Sequence, residues 1–172
     1  MTTKNLQLIP GFTLVELLIY MGLLSLFLLV LTSIFASILD VQLESQASSS
    51  VEEDGRFILA RLTYDFGRAK AIVSPATLGS SATSLILNIN GINNTFSLSG
   101  QDLILTDNTG SNKLNSFDDN VSNLNFTYLA NSAAESTISA TIRANFTLTS
   151  KVSRKNGPEA KTLQTTLGLR KR

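Results

Sequence analysis

Between Phe12 and Leu39 the chain carries a single charged residue, Glu16. About 20 apolar residues cross a bilayer as a helix, and Leu17–Leu39 supplies that length without a charge. One membrane-length helix near the start is therefore the first constraint on the fold. Whatever folds in water is built from the residues that follow. Glu16 is the second constraint. A charge at bilayer depth costs a few kcal/mol or more, so such a carboxylate needs a named partner.

Three readings of the first 39 residues compete. A secretory signal has an apolar core of about 7–15 residues closed by small residues. The run here is longer, and Phe35-Ala36-Ser37 imitates a cleavage site poorly. A plain single-pass anchor accounts for the length but gives Glu16 and Gly11-Phe12 no role. The third reading takes the local string as a unit. Pro10-Gly11-Phe12-Thr13-Leu14-Val15-Glu16, followed by an apolar helix, resembles the processing site of type IV pilin precursors.

That resemblance implies a sequence of events on named residues. A prepilin peptidase removes the leader, residues 1–11, by cutting after Gly11, and N-methylates the new terminus at Phe12. Glycine suits the cut because it lets a protease approach the backbone closely. The freed amine on Phe12 lies at the positive end of the helix dipole. It is four positions from Glu16, one helical turn. Glu16 matches the family's assembly glutamate, which neutralises that amine on its own chain or on a neighbour. A buried charge satisfied only when a second subunit docks favours assembly. Two features depart from the family's major pilins: no proline lies between Phe12 and Leu39, and Lys4 is the leader's only basic residue. Gly22 is the one residue in the run that loosens the helix.

Beyond Asp40 the pattern turns amphipathic. Val51, Gly55, Ile58, Leu62, Phe66, Ala69 and Val73 recur at steps of three or four, the spacing of one helical face. Glu52, Arg56, Arg61, Asp65 and Arg68 occupy the opposite face and read as solvated charges, with Glu52–Arg56 and Arg61–Asp65 at i,i+4. Glu52-Glu53-Asp54 likewise reads as a solvated turn. The stretch Arg56–Ala69 is similar to the helix end of minor pilins of the J-type pseudopilin kind. After Pro75 the period changes to two. Leu85, Leu87 and Ile89 alternate, Asn90-Gly91 is a hairpin signal, and Thr95–Ser99 and Asp102–Thr106 read as short strands. Asp107–Gly110 reads as a turn cluster. Leu124, Phe126 and Tyr128 alternate, Ser136–Thr149 is the cleanest strand, and Leu163–Leu169 closes the chain.

Strands with one dry face and no crossover helices imply an antiparallel sheet, and that face needs a cover. The expected class is α+β: a long N-terminal helix, transmembrane over residues 12–39 and amphipathic over 40–74, packed on an antiparallel sheet domain over 75–172, as in pilins.

Composition removes other classes. With no Cys and no His among 172 residues, thiol chemistry, His-based catalysis and the commonest metal sites are excluded. No cofactor is expected, and no enzymatic role. Fourteen Lys and Arg face thirteen Asp and Glu, and without Lys4 the two sets balance. That balance argues against nucleic-acid binding by bulk charge; the basic end Arg170-Lys171-Arg172 reads as a solvated terminus. Asp118-Asp119-Asn120 and Asp107-Asn108 offer oxygen ligands without the spacing of a calcium loop, and turn chemistry is the preferred reading. Asn-x-Ser/Thr triplets at Asn93, Asn120, Asn125 and Asn145 read as chance in a Thr-rich sheet. The functional expectation is a minor pilin or pseudopilin of a type IV filament or type II secretion pseudopilus. Its partners are the prepilin peptidase, the membrane, and other subunits through the N-terminal helix. It starts as a single-pass protein of the cytoplasmic membrane and then joins a periplasmic or extracellular filament. The alternative is a membrane-tethered binding domain, such as a tip adhesin or DNA-uptake pilin, using loops near Asn90–Asn94 and Asp107–Asn112.

Overall fold

The computed structural model describes residues 11–129 and 138–170. The leader before Gly11, the first residues of the strand expected from Ser136, and Lys171-Arg172 lie outside the described residues. Contacts divide the chain into two compact units, Met1–Val41 and Gln42–Arg172.

In the first unit, helix α1 (Leu14–Arg68, which continues into the second) begins at a capped end. Thr13 lies just outside the helix; its carbonyl accepts the first helical bond from Leu17 N at 3.1 Å, and its Oγ1 accepts from Glu16 N at 3.2 Å. This is N-cap geometry. Phe12, expected as the first helical residue, sits before the cap. No described side chain up to Val41 is buried. Hydroxyls in this apolar stretch bond back to the helix itself, Ser25 Oγ to Gly22 O, Thr32 Oγ1 to Leu28 O and Ser33 Oγ to Leu29 O, at 2.8–3.0 Å. Such bonds pair these three hydroxyl protons within the helix itself. The helix is long and apolar enough to cross a membrane.

In the second unit the buried stripe of α1 runs Ala47, Val51, Gly55, Ile58, Leu62 and Phe66, joined by Asp54 and Asp65. A Cβ on Gly55 would meet Leu163 Cδ1, so the missing side chain makes the space that the Leu163 side chain fills. The helix stops at Arg68, six residues short of the expected end at 74. Ala69 N still bonds to Asp65 O at 3.0 Å, but Lys70 N turns to Asn88 O at 2.8 Å, and β1 (Ala71–Ser74) follows. Ile72 and Val73 are β-branched, and Pro75 pushes Ser74 out of the helical region.

The antiparallel cover is two sheets rather than one. The first has the order β1, β3 (Leu85–Ile89), β4 (Ile92–Ser99), β5 (Asp102–Asp107), β6 (Gly110–Lys113). The second has the order β2 (Ser81–Ala82), β7 (Asp119–Leu129), β8 (Ile138–Ser150), β9 (Ala160–Arg170). Ile89 pairs with Ile92, leaving Asn90-Gly91 as a two-residue turn. Their φ angles of 53° and 85° are both left-handed, as a type I′ turn requires. In β7 the register shifts between Ser122 and Asn125, with Asn123 at φ 53°. The extra residue in this bulge puts Val121 and Leu124, three apart, on the same dry face. Both sheets and α1 contribute to one continuous core, in which Phe66, Phe96, Phe126 and Phe146 are fully buried. Every described core residue lies at or beyond Ala47.

Candidate functional site

At the start of α1 the three residues singled out by sequence are Gly11, Phe12 and Glu16. Gly11 and Phe12 are exposed and precede the helix, with Phe12 at 76%. Nothing crowds Gly11: a Cβ there meets no atom within 4 Å. A stretch outside the helix with room around it is what a protease needs. Glu16 lies one turn inside, and the amide bond to Thr13 fixes its backbone. Its side chain does not reach back to the cap. Instead Tyr20 Oη, one turn further on, donates to Glu16 Oε1 at 3.1 Å. The same tyrosine ring meets Phe12 edge-on, with centroids 6.1 Å apart and planes at 80°, a favourable aromatic geometry. No described cation pairs with Glu16. Sequence reasoning missed Thr13 and Tyr20. Both had signals: Thr-x-x-Glu is a capping-box string, and Tyr20 stands at i+4 from Glu16.

A second polar cluster lies inside the second unit, and it corrects two expectations. Asp54, read as part of a solvated turn, is buried and accepts from Ser116 N at 2.7 Å. Asp119, read as turn chemistry, opens β7 opposite Ser150 with no exposed surface. Its Oδ1 accepts from Ser50 Oγ at 2.9 Å, and Ser50 Oγ also lies 3.5 Å from Ser150 Oγ. Asp119 Oδ2 has no hydrogen-bond partner. Asn115 braces the same place, donating from Nδ2 to Asp119 O at 2.8 Å while its Oδ1 accepts from Leu103 N at 2.9 Å. Burial pushes the Asp119 carboxyl above its ordinary range; the Ser50 hydroxyl pulls it back, and the like charge of Asp54 adds to the rise. The cluster ties α1 to the first residues of β7.

A third correction concerns Asp65, assigned to the solvated face. It has no exposed surface, and Arg61 Nε reaches its Oδ2 at 2.8 Å from a partly exposed position. The guanidinium supplies the counter-charge to the buried carboxylate. Asp65 Oδ1 is left without a partner.

The loops named for the alternative function are short turns. Asn93 and Asn94 belong to β4, and Ser111 and Asn112 to β6. Asp107 Oδ1 accepts from Thr109 N at 2.7 Å and from Thr109 Oγ1 at 2.5 Å. These bonds, the side-chain one foremost, hold its carboxyl below the ordinary range. Comparison with protein-family models, curated proteins and solved structures finds no match to this chain.

Proposed function

We propose that this chain is a structural subunit, a minor pilin or pseudopilin, of a type IV filament or a type II secretion pseudopilus. A prepilin peptidase cuts after Gly11 and methylates the amine of Phe12. The subunit waits in the cytoplasmic membrane on its apolar helix and then enters a filament whose core is made of such helices. It has no catalytic role of its own. The observation that carries this reading is Glu16: an acid at the head of an apolar helical stretch with no buried side chain up to Val41, and with no cation beside it among the described residues. In hydrocarbon such a group calls for an external positive charge. A neighbour's freed amine supplies one at a helix N-terminus, where no side-chain cation is needed. The capped start at Thr13 leaves Gly11-Phe12 outside the helix, open to a protease.

N-terminal mass spectrometry of the mature protein tests the proposal. A chain that starts at Phe12 and carries one added methyl on its amine is the expected result. An intact Met1, or a cut near Ser37, removes it.

A further inference from the structure

A tyrosine in an apolar, membrane-length helix brings a hydroxyl that needs an acceptor. Tyr20 has one: its Oη donates to Glu16 Oε1 at 3.1 Å. Its ring also rests edge-on against Phe12, 6.1 Å between centroids. Among the described residues no other side chain donates to Glu16. A carboxylate has about four acceptor positions on two oxygens. One bond to Oε1 fixes the group's rotation and leaves Oε2 open. Thr13 holds the backbone of the same residue through Glu16 N.

We propose that Tyr20 is a positioning residue for assembly: it orients the Glu16 carboxylate so that Oε2 is presented to the N-terminal amine of a neighbouring subunit. This inference rests on the filament-subunit reading. The tyrosine bond is a neutral donor on a charged acceptor, so it tolerates the arrival of a cation. The amine takes the open oxygen, and Tyr20 keeps the other. Without the hydroxyl, the carboxylate turns freely about its terminal torsion, and docking must freeze that freedom.

The test is Tyr20→Phe in the full chain, which deletes one oxygen and keeps the ring against Phe12. Tyr64→Phe, on the soluble unit, is the control. Two readouts are needed: the share of subunit recovered in filaments relative to membranes, and the 13Cδ resonance of Glu16 in bilayer-reconstituted protein. The expected result is normal membrane level, a fall of about two- to threefold in filament share, because the bond is kept on docking and only the freed torsion of Glu16 must be frozen, and a displaced Glu16 resonance. An unchanged share overturns the proposal. So does a reduced share with an unmoved resonance, because the loss then comes from general packing. N-terminal mass spectrometry of the unmutated protein separates the two ideas. A start at Phe12 with normal incorporation of Tyr20→Phe sinks only the role of Tyr20, whereas an intact Met1 sinks the filament reading beneath it.

Discussion

Replacing Asp119 by Asn is expected to stabilise the second unit, Gln42–Arg172, at neutral pH. The carboxylate is fully buried, and only Oδ1 is satisfied, by Ser50. Oδ2 has no donor, and Asp54 is close enough to raise the Asp119 carboxyl further. In Asp119→Asn the accepting oxygen stays, the size is unchanged, and the new amide can donate toward Asp54. A buried acceptor without a partner costs about 1–3 kcal/mol. A gain of about 1–2 kcal/mol follows, or a rise in Tm of about 3–8 °C for a unit of this size. The sign with pH is fixed by the direction of the shift. The folded protein holds the Asp119 proton to higher pH than the unfolded chain does, so native stability falls as pH rises from the ordinary carboxylate range through the raised folded value. Below that range Asp119 is protonated in both states, and the advantage of Asp119→Asn shrinks. Thermal unfolding of the full chain in detergent, followed by circular dichroism at pH 4, 6 and 8, measures both effects. If the variant is less stable than the parent at pH 8, or its advantage is larger at pH 4 than at pH 8, the account of this site is wrong.

Glu16→Ala is expected to leave cleavage after Gly11 largely intact and to abolish incorporation; immunoblots of membrane and filament fractions read both, and normal incorporation contradicts the pairing. Arg61→Ala strips the counter-charge from buried Asp65 and is expected to cost about 2–4 kcal/mol, measured by urea unfolding at pH 7; a change within error means water or another group already serves that carboxylate. Gly91→Val places a branched side chain at a φ of 85° and is expected to cost about 1–3 kcal/mol, with hydrogen exchange accelerated at Ile89 and Ile92; unchanged exchange would show that the turn does not hold this register.

The elements that were legible in the sequence share one property: their side chains obey a local period. Val51 to Phe66 step by three and four because one face of α1 meets the sheets. Ala140 to Leu148 alternate because β8 has one dry side. The helix end at Arg68 is not legible, because Ala69 and Val73 continue the period while the tertiary bond from Lys70 to Asn88 decides where the chain leaves. Strand β6, Gly110–Lys113, has only exposed residues, so no hydrophobic period marks it; pairing with β5 alone creates it. The division into two sheets was equally silent, since alternation reports a dry face and not which sheet supplies it. Asp54 and Asp119 are 65 positions apart and meet only in the fold. At the helix start Gly11, Phe12 and Glu16 stand out by their types, while Thr13 and Tyr20 matter through bonds to Glu16 that residue type alone does not mark.

The described core starts at Ala47, and Glu16 with its bonded neighbours ends at Tyr20. No residue is common to the two sets. Substitution at Thr13, Glu16 or Tyr20 therefore removes no side chain from the described core, and repacking of the sheets alters none of the bonds that hold Glu16.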